Sequence, residues 1–333
     1  MKLTFMPRLK DLGIVLVLIA LVVAFSLMTP NFLDPNNIFN ITRQVATLGI
    51  VAVGFSFVLI TGGIDLSVGY QISLNVVVTG ILMAKVGLPW YVAVLAALVL
   101  GTLIGIVNGL IITYTGVAPL IVTLSMMMIL NGVSYLVSKG LPIFGFPAEF
   151  SLIGQGALYG IPISLLILIV VWAVGIFILN KTSVGRYFYA IGNNAEAARL
   201  SGVNTRRTII LVYALSGLFT AIGAVLLLSR LNSAQSATGA GFEFSVLTAC
   251  VLGGISVMGG RGSLFGAFVG VMIVGVLDNG LVLMNVSEYV QLVIKGVILM
   301  TAVIYDAMSK NSKGRTKQIG GVPLRAPKIS APA

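Results

Sequence analysis

The stretch that decides the fold lies early in the chain: residues 42–61 read TRQVATLGIVAVGFSFVLIT, and residues 62–69 continue with GGIDLSVG. The first part is largely apolar and has the length that an α-helix needs to cross a bilayer, about 20 residues. Two glycines then permit the helix to break. Asp65 follows at membrane depth, where a carboxylate at a helix centre costs about 2.5–3.5 kcal/mol. The stretch therefore predicts a membrane-spanning helix that ends in a turn with a polar role.

The rest of the chain has the composition of a membrane protein. Of its 333 residues, 58% are apolar and 9% are charged, and the mean hydropathy is +1.09. A soluble globular protein carries about 25% charged residues, so this composition excludes a cytosolic enzyme and a secreted disulfide scaffold. The chain has no His and one Cys. These counts exclude an internal disulfide, a His-ligated metal site and a His-based catalytic triad.

Apolar segments that predict transmembrane helices recur along the chain, which makes the expected fold all-α and polytopic. The ten segments are residues 12–28, 42–61, 66–84, 90–113, 117–138, 161–180, 208–230, 245–258, 263–283 and 287–305. The eighth segment is too short to span unless residues 240–244 extend it. The third follows a Gly-Gly pair and carries two polar residues, so eight or nine spans are also compatible with the sequence. The first segment is interpreted as an uncleaved span, because it is long for a signal peptide.

The distribution of Lys and Arg predicts the orientation of these spans. When the N-terminus is placed in the cytoplasm, most of the 20 Lys and Arg residues fall in inner loops and tails, as the positive-inside rule requires. Both termini are then cytoplasmic. Residues 1–306 are predicted to form the transmembrane domain. Residues 307–333 are predicted to form a basic, disordered cytoplasmic tail near anionic lipid.

Two glycine ladders suggest an internal repeat. Gly101, Gly105 and Gly109 recur every four residues in the fourth segment, and Gly262, Gly266 and Gly270 do so at the ninth. The two segments occupy corresponding places in two five-span halves and run in opposite directions, which is typical of an inverted repeat. Helix packing through small residues is the alternative explanation.

The central loop, residues 181–207, is predicted to contain a short surface helix. Asn193 or Asn194 can cap its N-terminus, and Glu196 and Arg199 are spaced to pair on one face and to complement the helix dipole. Gly202 is a typical C-terminal stop. The helix is either a solvated connector or a docking surface for a cytoplasmic partner. If the helix is a docking surface, the residues that contact the partner are Asn193, Asn194, Ala195, Glu196, Ala197, Ala198, Arg199, Leu200 and Gly202.

Polar residues at membrane depth are the candidates for a solute path or gate. Asp65 is predicted to be a structural cap for the next helix or a direct substrate contact. The other path candidates are Ser67, Asn75, Asn108 and Asn131. Such groups suit a polyhydroxylated solute, but hydrogen bonding between helices accounts for them equally well. Asp278 and Lys295 are predicted to form an ion pair between neighbouring spans.

The chain lacks the GxxxxGK[ST] motif that cradles nucleotide phosphates, so it would not bind ATP through such a loop of its own. The absence of His and the few buried acids argue against proton coupling, although an ion-coupled secondary sugar symporter remains the alternative. The energy is therefore expected from a partner that acts on residues 181–207.

Several short strings resemble the membrane permease subunits of bacterial ABC importers for monosaccharides, the ribose-type permeases. The strings are GGIDLSVG at 62–69, TSVGR at 182–186, AIGNN at 190–194, EAAR at 196–199, SGV at 201–203, LGG at 252–254 and GGRGS at 259–263. The resemblance covers roughly residues 10–306. It implies a permease of the cytoplasmic (inner) membrane that pairs with an identical or a different second permease copy. It also implies cytoplasmic ATPase subunits, which bind the ATP, and a periplasmic sugar-binding protein. The resemblance does not fix the sugar.

Overall fold

The computed structural model describes residues 9–318 and their side chains from residue 13 to residue 308. Within that range the chain forms thirteen helices and one short antiparallel hairpin. The elements are α1 (Leu9–Met28), α2 (Pro35–Ile60), α3 (Val68–Ala84), α4 (Trp90–Thr115), α5 (Pro119–Ser138), α6 (Ala148–Gln155), β1 (Ala157–Leu158), β2 (Ile161–Pro162), α7 (Ile163–Lys181), α8 (Ser183–Asn193), α9 (Ala195–Leu200), α10 (Thr205–Leu231), α11 (Phe242–Leu252), α12 (Leu264–Leu283) and α13 (Glu288–Gln318).

The chain is an all-helical polytopic membrane protein. Seven described helices are long and apolar enough to cross a bilayer: α2, α4, α5, α7, α10, α12 and α13. Residues 13–28 of α1, together with α3 and α11, form shorter apolar helices. Each of the ten predicted segments thus overlaps an apolar helix. The tail predicted for residues 307–333 begins within α13, and residues 319–333 lie outside the described residues.

The eighth predicted segment, residues 245–258, is helical only as far as Leu252, and residues 253–258 are not helical. α11 has 11 residues and is about 16 Å long at 1.5 Å per residue, which is half the thickness of the hydrocarbon core. It ends because Gly254 adopts φ +80°, a left-handed conformation that glycine adopts without strain. Residues 232–241, which precede α11, are not helical and run beside α3.

The ends of α2 follow from its sequence. Asp34 caps its N-terminus by accepting a hydrogen bond from the amide of Asn36 at 2.8 Å, and Pro35 occupies the first turn, where a missing N–H costs nothing. α2 is buried over most of its length. It contacts α7, α10, α11 and α12 and is therefore the central helix of the bundle.

Both glycine ladders are packing faces. A Cβ atom at Gly105 would lie 2.1 Å from the carbonyl oxygen of Tyr213, so the ladder of α4 packs directly on α10. A Cβ atom at Gly270 would lie 1.9 Å from the carbonyl oxygen of Ala249, so the ladder of α12 packs on α11. Gly262 lies before α12 rather than in it. Close helix packing therefore explains the ladders, and the inverted repeat stays a prediction.

The central loop contains two helices, α8 and α9, of which the sequence predicted one. The shorter helix, α9, lies where the sequence placed it. α8 is longer, packs against α2, α7 and α10, and was missed. We call the end of the bundle that carries α8 and α9 the α9 end.

Candidate functional site

The segment between α2 and α3, residues 61–67, is called the first turn. Gly62 adopts φ +83°. Its amide donates to the carbonyl of Leu59 at 2.9 Å, and the amide of Gly63 donates to that of Val58 at 3.0 Å. This pattern of a glycine stop satisfies the last carbonyls of a helix. The two glycines therefore end α2 as the sequence predicted.

Asp65 is completely buried in the first turn. Its Oδ1 accepts hydrogen bonds from the amide of Ser67 at 3.2 Å and from the Ser67 hydroxyl at 2.5 Å. Its Oδ2 accepts from the hydroxyl of Ser216 on α10 at 2.9 Å. The residue that caps α3 is Ser67, and its own side chain makes no capping bond. Asp65 is therefore not itself the N-cap residue of α3 that the sequence predicted. It holds the N-cap residue, Ser67, in place.

Two further helices hold the first turn. Asn108 on α4 donates from Nδ2 to the hydroxyl oxygen of Ser67 at 3.0 Å. Thr123 on α5 donates to the carbonyl of Ile64 at 3.0 Å. Three of the predicted path residues therefore form one buried cluster: Asp65, Ser67 and Asn108. Sequence reasoning missed Ser216 and Thr123, because single hydroxyls on apolar helices give no distinctive signal.

The other two predicted path residues lie apart from this cluster. Asn75 donates to the carbonyl of Gln71 in its own helix at 2.9 Å, and its Oδ1 has no hydrogen-bond partner among the described residues. Asn131 on α5 is half-buried and has an unpaired Oδ1 as well. Further buried polar atoms without a described partner lie on α3, α4, α5 and α10. They are Gln71 Oε1, Asn108 Oδ1, Ser134 Oγ, Tyr213 OH and Thr220 Oγ1.

The docking helix α9 forms with the predicted caps and ion pair. Asn194 caps it by accepting from the amide of Ala197 at 2.9 Å, and Gly202 follows at φ +86°. Arg199 donates to both carboxylate oxygens of Glu196, from Nε at 3.0 Å and from Nη2 at 2.5 Å. These hydrogen bonds and the positive charge of Arg199 lower the pKa of Glu196. The same hydrogen bonds and the negative charge of Glu196 raise the pKa of Arg199.

Most of α9 faces away from the bundle. Ala198 is its buried residue, while Ala195, Glu196, Ala197 and Arg199 are exposed and Leu200 is 76% exposed. The helix therefore presents a small apolar and charged surface at the α9 end.

Asn193 does not belong to α9, which corrects its predicted role as a possible cap. It is the last residue of α8 and donates from Nδ2 to the carbonyls of Tyr189 at 2.8 Å and Gly260 at 3.3 Å. The amide of Gly260 in turn donates to the carbonyl of Ile60, the last residue of α2, at 2.8 Å. Asn193 thus joins α8 to the end of α2 through the loop before α12.

That loop, residues 253–263, is called the second turn. Tyr189 on α8 donates from its hydroxyl to the carbonyl of Gly262 at 2.9 Å. Asp306 on α13 accepts from the hydroxyl of Ser256 at 2.9 Å and from the amide of Val257 at 3.2 Å. α8, α13 and the first turn therefore meet at the second turn. Elsewhere, Lys295 and Asp278 form the predicted ion pair at 3.0 Å.

Comparisons with known proteins agree on one family. The family described as "Branched-chain amino acid transport system / permease component" matches residues 37–303. The ribose import permease protein RbsC of Bacillus subtilis (strain 168) is 40% identical over 301 residues, which cover 90% of this chain and 93% of that protein. The galactose/methyl galactoside import permease protein MglC of Escherichia coli (strain K12) is 37% identical over 325 residues, which cover 92% and 97%. No solved structure matches the chain. The chain therefore belongs to this family of membrane permease components, and it is a transport protein rather than an enzyme.

Proposed function

We propose that this chain is the permease subunit of an ATP-driven importer for a monosaccharide. Relatives named as ribose and galactose import permeases match it over nine tenths of its length, which supports a sugar of that size. The chain would form the translocation path with a second permease copy, identical or not. It would receive the sugar from a periplasmic binding protein and its energy from cytoplasmic ATPase subunits. It needs no cofactor of its own in this scheme.

The observation that carries the proposal is the exposed helix α9. It is capped at its N-terminus by Asn194 and followed by a glycine stop, so it is ordered without a partner. Its exposed Ala195, Ala197 and Leu200 suit close docking by another protein. We assign the contact with the ATPase to α9 and its two flanks, that is, to residues 193–202.

The contacts of α8 supply a route from α9 into the bundle. A Cβ atom at Gly192 would lie 1.9 Å from the carbonyl oxygen of Ile60, so α8 lies directly against the end of α2. Asn193 adds the hydrogen bond to Gly260, which is bonded to Ile60. A push on α9 would reach the first turn through these contacts. The cluster of Asp65, Ser67 and Asn108 would then act as a gate, with Asn75 and Asn131 lining the path.

The charge distribution supports the orientation. The α9 end carries the central basic loop and would face the cytoplasm, with both termini on the same side of the inner membrane. Residues 1–306 would form the permease domain, and residues 307–333 a basic cytoplasmic tail.

The packing also fits an inverted five-plus-five repeat. α3 contacts α4 and α5, and α11 contacts α12 and α13. In a five-plus-five arrangement these are corresponding pairs. Transport sites of inverted repeats tend to lie where the halves meet, which agrees with a path beside α3.

Docking can be tested with tryptophan substitutions. Ala197→Trp should abolish co-purification of the ATPase, because a bulky side chain would hold the partner away from α9. Ala148→Trp is the matched control, since Ala148 is also exposed in the first turn of a short helix, α6. The control should bind the ATPase normally. Normal co-purification of both variants, each inserted in the membrane, would contradict the assignment.

The second candidate function, an ion-coupled symporter, makes the opposite prediction about energy. In vesicles that contain the chain, a protonophore added with ATP present should leave sugar uptake intact if the importer proposal is right. Collapse of uptake under these conditions would favour the symporter.

A further inference from the structure

A non-helical segment, residues 232–241, connects α10 to α11. It enters the bundle beside α3. A Cβ atom at Gly80 would lie 2.8 Å from the Cβ of Ala234, and one at Gly69 would lie 2.7 Å from the carbonyl oxygen of Gly239. Gly69 and Gly80 are eleven residues apart on one helix, so the segment contacts α3 at two points that are about 16 Å apart, at 1.5 Å per residue. It therefore runs through about half of a 30 Å hydrocarbon core.

One side of this segment is fixed by hydroxyl groups. Ser236 donates to the carbonyl of Ser134 at 3.1 Å and shares a hydrogen bond with the hydroxyl of Ser138 at 2.6 Å. The amide of Gly239 donates to the hydroxyl of Ser73 at 2.9 Å. These serines lie on α3 and α5. The segment is therefore held at a defined depth and is not a loose loop.

The other side of the segment is exposed in the single chain. Gln235, Ala237 and Ala240 lie on this exposed side. Non-helical backbone at membrane depth is tolerated only where it is buried in protein or lines a water-filled cavity, because lipid offers its polar groups no hydrogen bonds. This face therefore cannot be covered by lipid. A water-filled path accounts for the exposed side chain of Gln235, whose amide lipid could not hydrogen-bond.

Glu243 follows the segment in the first turn of α11 and is 2% exposed. Its Oε2 has no hydrogen-bond partner among the described residues, and no described Lys or Arg forms an ion pair with it. A Cβ atom at Gly69 would lie 1.9 Å from Oε2, so the carboxylate sits directly against α3. An ionisable side chain inside a membrane is costly and is typical of a functional site.

The surroundings of Glu243 indicate what would bind there. The carboxylate of Glu243 lies against Gly69, and Tyr70 is the next residue in the first turn of α3, where it is half-buried. A carboxylate only accepts hydrogen bonds when ionised, and an aromatic ring offers an apolar face with a polar edge. Sugar hydroxyls donate hydrogen bonds, and sugar C–H faces pack on such rings.

We propose that Glu243, Tyr70 and the exposed side of residues 232–241 form the contact site for a neutral monosaccharide inside the translocation path. This site rests on the proposed function, because it needs a sugar to pass through the chain. It is separate from the Asp65 cluster, whose carboxylate oxygens are both hydrogen-bonded within the protein.

The first test is uptake by the complete importer in proteoliposomes, with radiolabelled ribose and galactose as the probes. Glu243→Gln keeps the shape of the side chain but removes its charge. We expect uptake to fall about tenfold or more, because a hydrogen bond to a charged acceptor is worth that factor. The subunit composition of the importer should stay at the wild-type level. Wild-type uptake by this variant would overturn the inference while leaving the proposed function intact. Failure of the wild-type importer to transport any monosaccharide would overturn the proposed function itself.

The second test does not depend on Glu243 and decides the matter if Glu243→Gln fails to assemble. Cys250 is the chain's one cysteine and is buried, so Cys250→Ala gives a background for single-cysteine variants. A charged, membrane-impermeant thiol reagent should label Ala237→Cys in the assembled importer, and sugar-loaded binding protein with ATP should slow the labelling. Val99→Cys is the control, because Val99 is 58% exposed on the apolar face of α4 and should resist the reagent in lipid. Equal resistance of both variants in every nucleotide state would contradict the inference.

Discussion

The first turn and the second turn end their helices in the same way. Gly62 and Gly254 both adopt φ near +80°. The amide of Gly63 donates to the carbonyl five residues earlier at 3.0 Å, and so does the amide of Ile255. The two turns also touch, because a Cβ atom at Gly259 would lie 2.7 Å from the Cα of Gly62. The same glycine chemistry therefore stops α2 and α11 at one place in the bundle.

The turns differ in where their carboxylate comes from. The first turn carries its own, Asp65, which is bonded to buried hydroxyls of the bundle. The carboxylate that binds the second turn is Asp306, which lies on α13. The second turn is also hydrogen-bonded to Asn193 and Tyr189 of α8. The first turn is thus anchored to the interior, and the second is anchored to the elements at the α9 end. We therefore expect a movement of α8 to reach the second turn before it reaches the first.

The largest effect should come from the anchor of the first turn. Asp65→Ala removes the acceptor for three buried donors. Each unsatisfied buried donor costs about 1–3 kcal/mol. We expect the variant to lose most of its yield and to melt far below the wild type in detergent.

Ser256→Ala is the comparison for the second turn. It removes one donor to Asp306 and the acceptor of the Met258 amide, a bond of 3.3 Å, but leaves the amide of Val257 bonded to Asp306. Its melting temperature should therefore fall much less than that of Asp65→Ala. Equal destabilisation by the two variants would contradict the difference drawn between the turns.

A matched pair of glycines tests the link to α8. Gly260→Ala introduces a Cβ atom 2.7 Å from Oδ1 of Asn193, whereas the nearest atom to a Cβ at Gly62 is 3.7 Å away. Both residues have positive φ, so each substitution also costs about 1 kcal/mol of backbone strain. Gly260→Ala alone should reduce sugar uptake per ATP hydrolysed in proteoliposomes. If both variants took up the same amount of sugar per ATP hydrolysed, the proposed route through α8 would be contradicted.

A smaller effect is expected at Asp306. Asp306→Ala leaves the Ser256 hydroxyl and the Val257 amide without their acceptor, at a cost of about 1–2 kcal/mol since both are partly buried. Asp306→Asn keeps an acceptor oxygen and should melt closer to the wild type. Thermal unfolding in detergent measures both, and identical melting of the two variants would argue against these hydrogen bonds.

The smallest effect concerns the ion pair on α9. Because the pKa of Glu196 is lowered, the pair is fully formed at neutral pH and is lost only as the pH falls through that lowered pKa. Both side chains are more than 60% exposed, so water screens their attraction. Glu196→Gln should leave the melting temperature at pH 7 unchanged. A clear drop at pH 7 would show that the pair is not merely a surface contact.

Local patterns in the sequence predicted the local structure well. The Asn194 cap, the Glu196–Arg199 pair and the Gly202 stop form where the spacing placed them. The apolar segments form helices as well, except at residues 253–258. The pairing of Asp278 with Lys295 is confirmed as well. Each of these features depends on residues close in sequence or on the cost of a lone charge in a membrane.

Contacts between distant elements could not be predicted. Asn193 and Asn194 fit the same capping pattern, and the bond of Asn193 to Gly260 depends on a loop 67 residues away. The non-helical path of residues 232–241 depends on close packing of Gly239 against Gly69. No short-range pattern encodes either contact. The roles proposed for the path and docking residues stay predictions.

Reconstitution tests the central claim most directly. Proteoliposomes that contain this chain with its ATPase subunits and binding protein should accumulate ribose or galactose when ATP is supplied on the α9 side. Proteoliposomes with this chain alone should not accumulate either sugar under any ion gradient. Concentrative uptake by the chain alone would contradict the account.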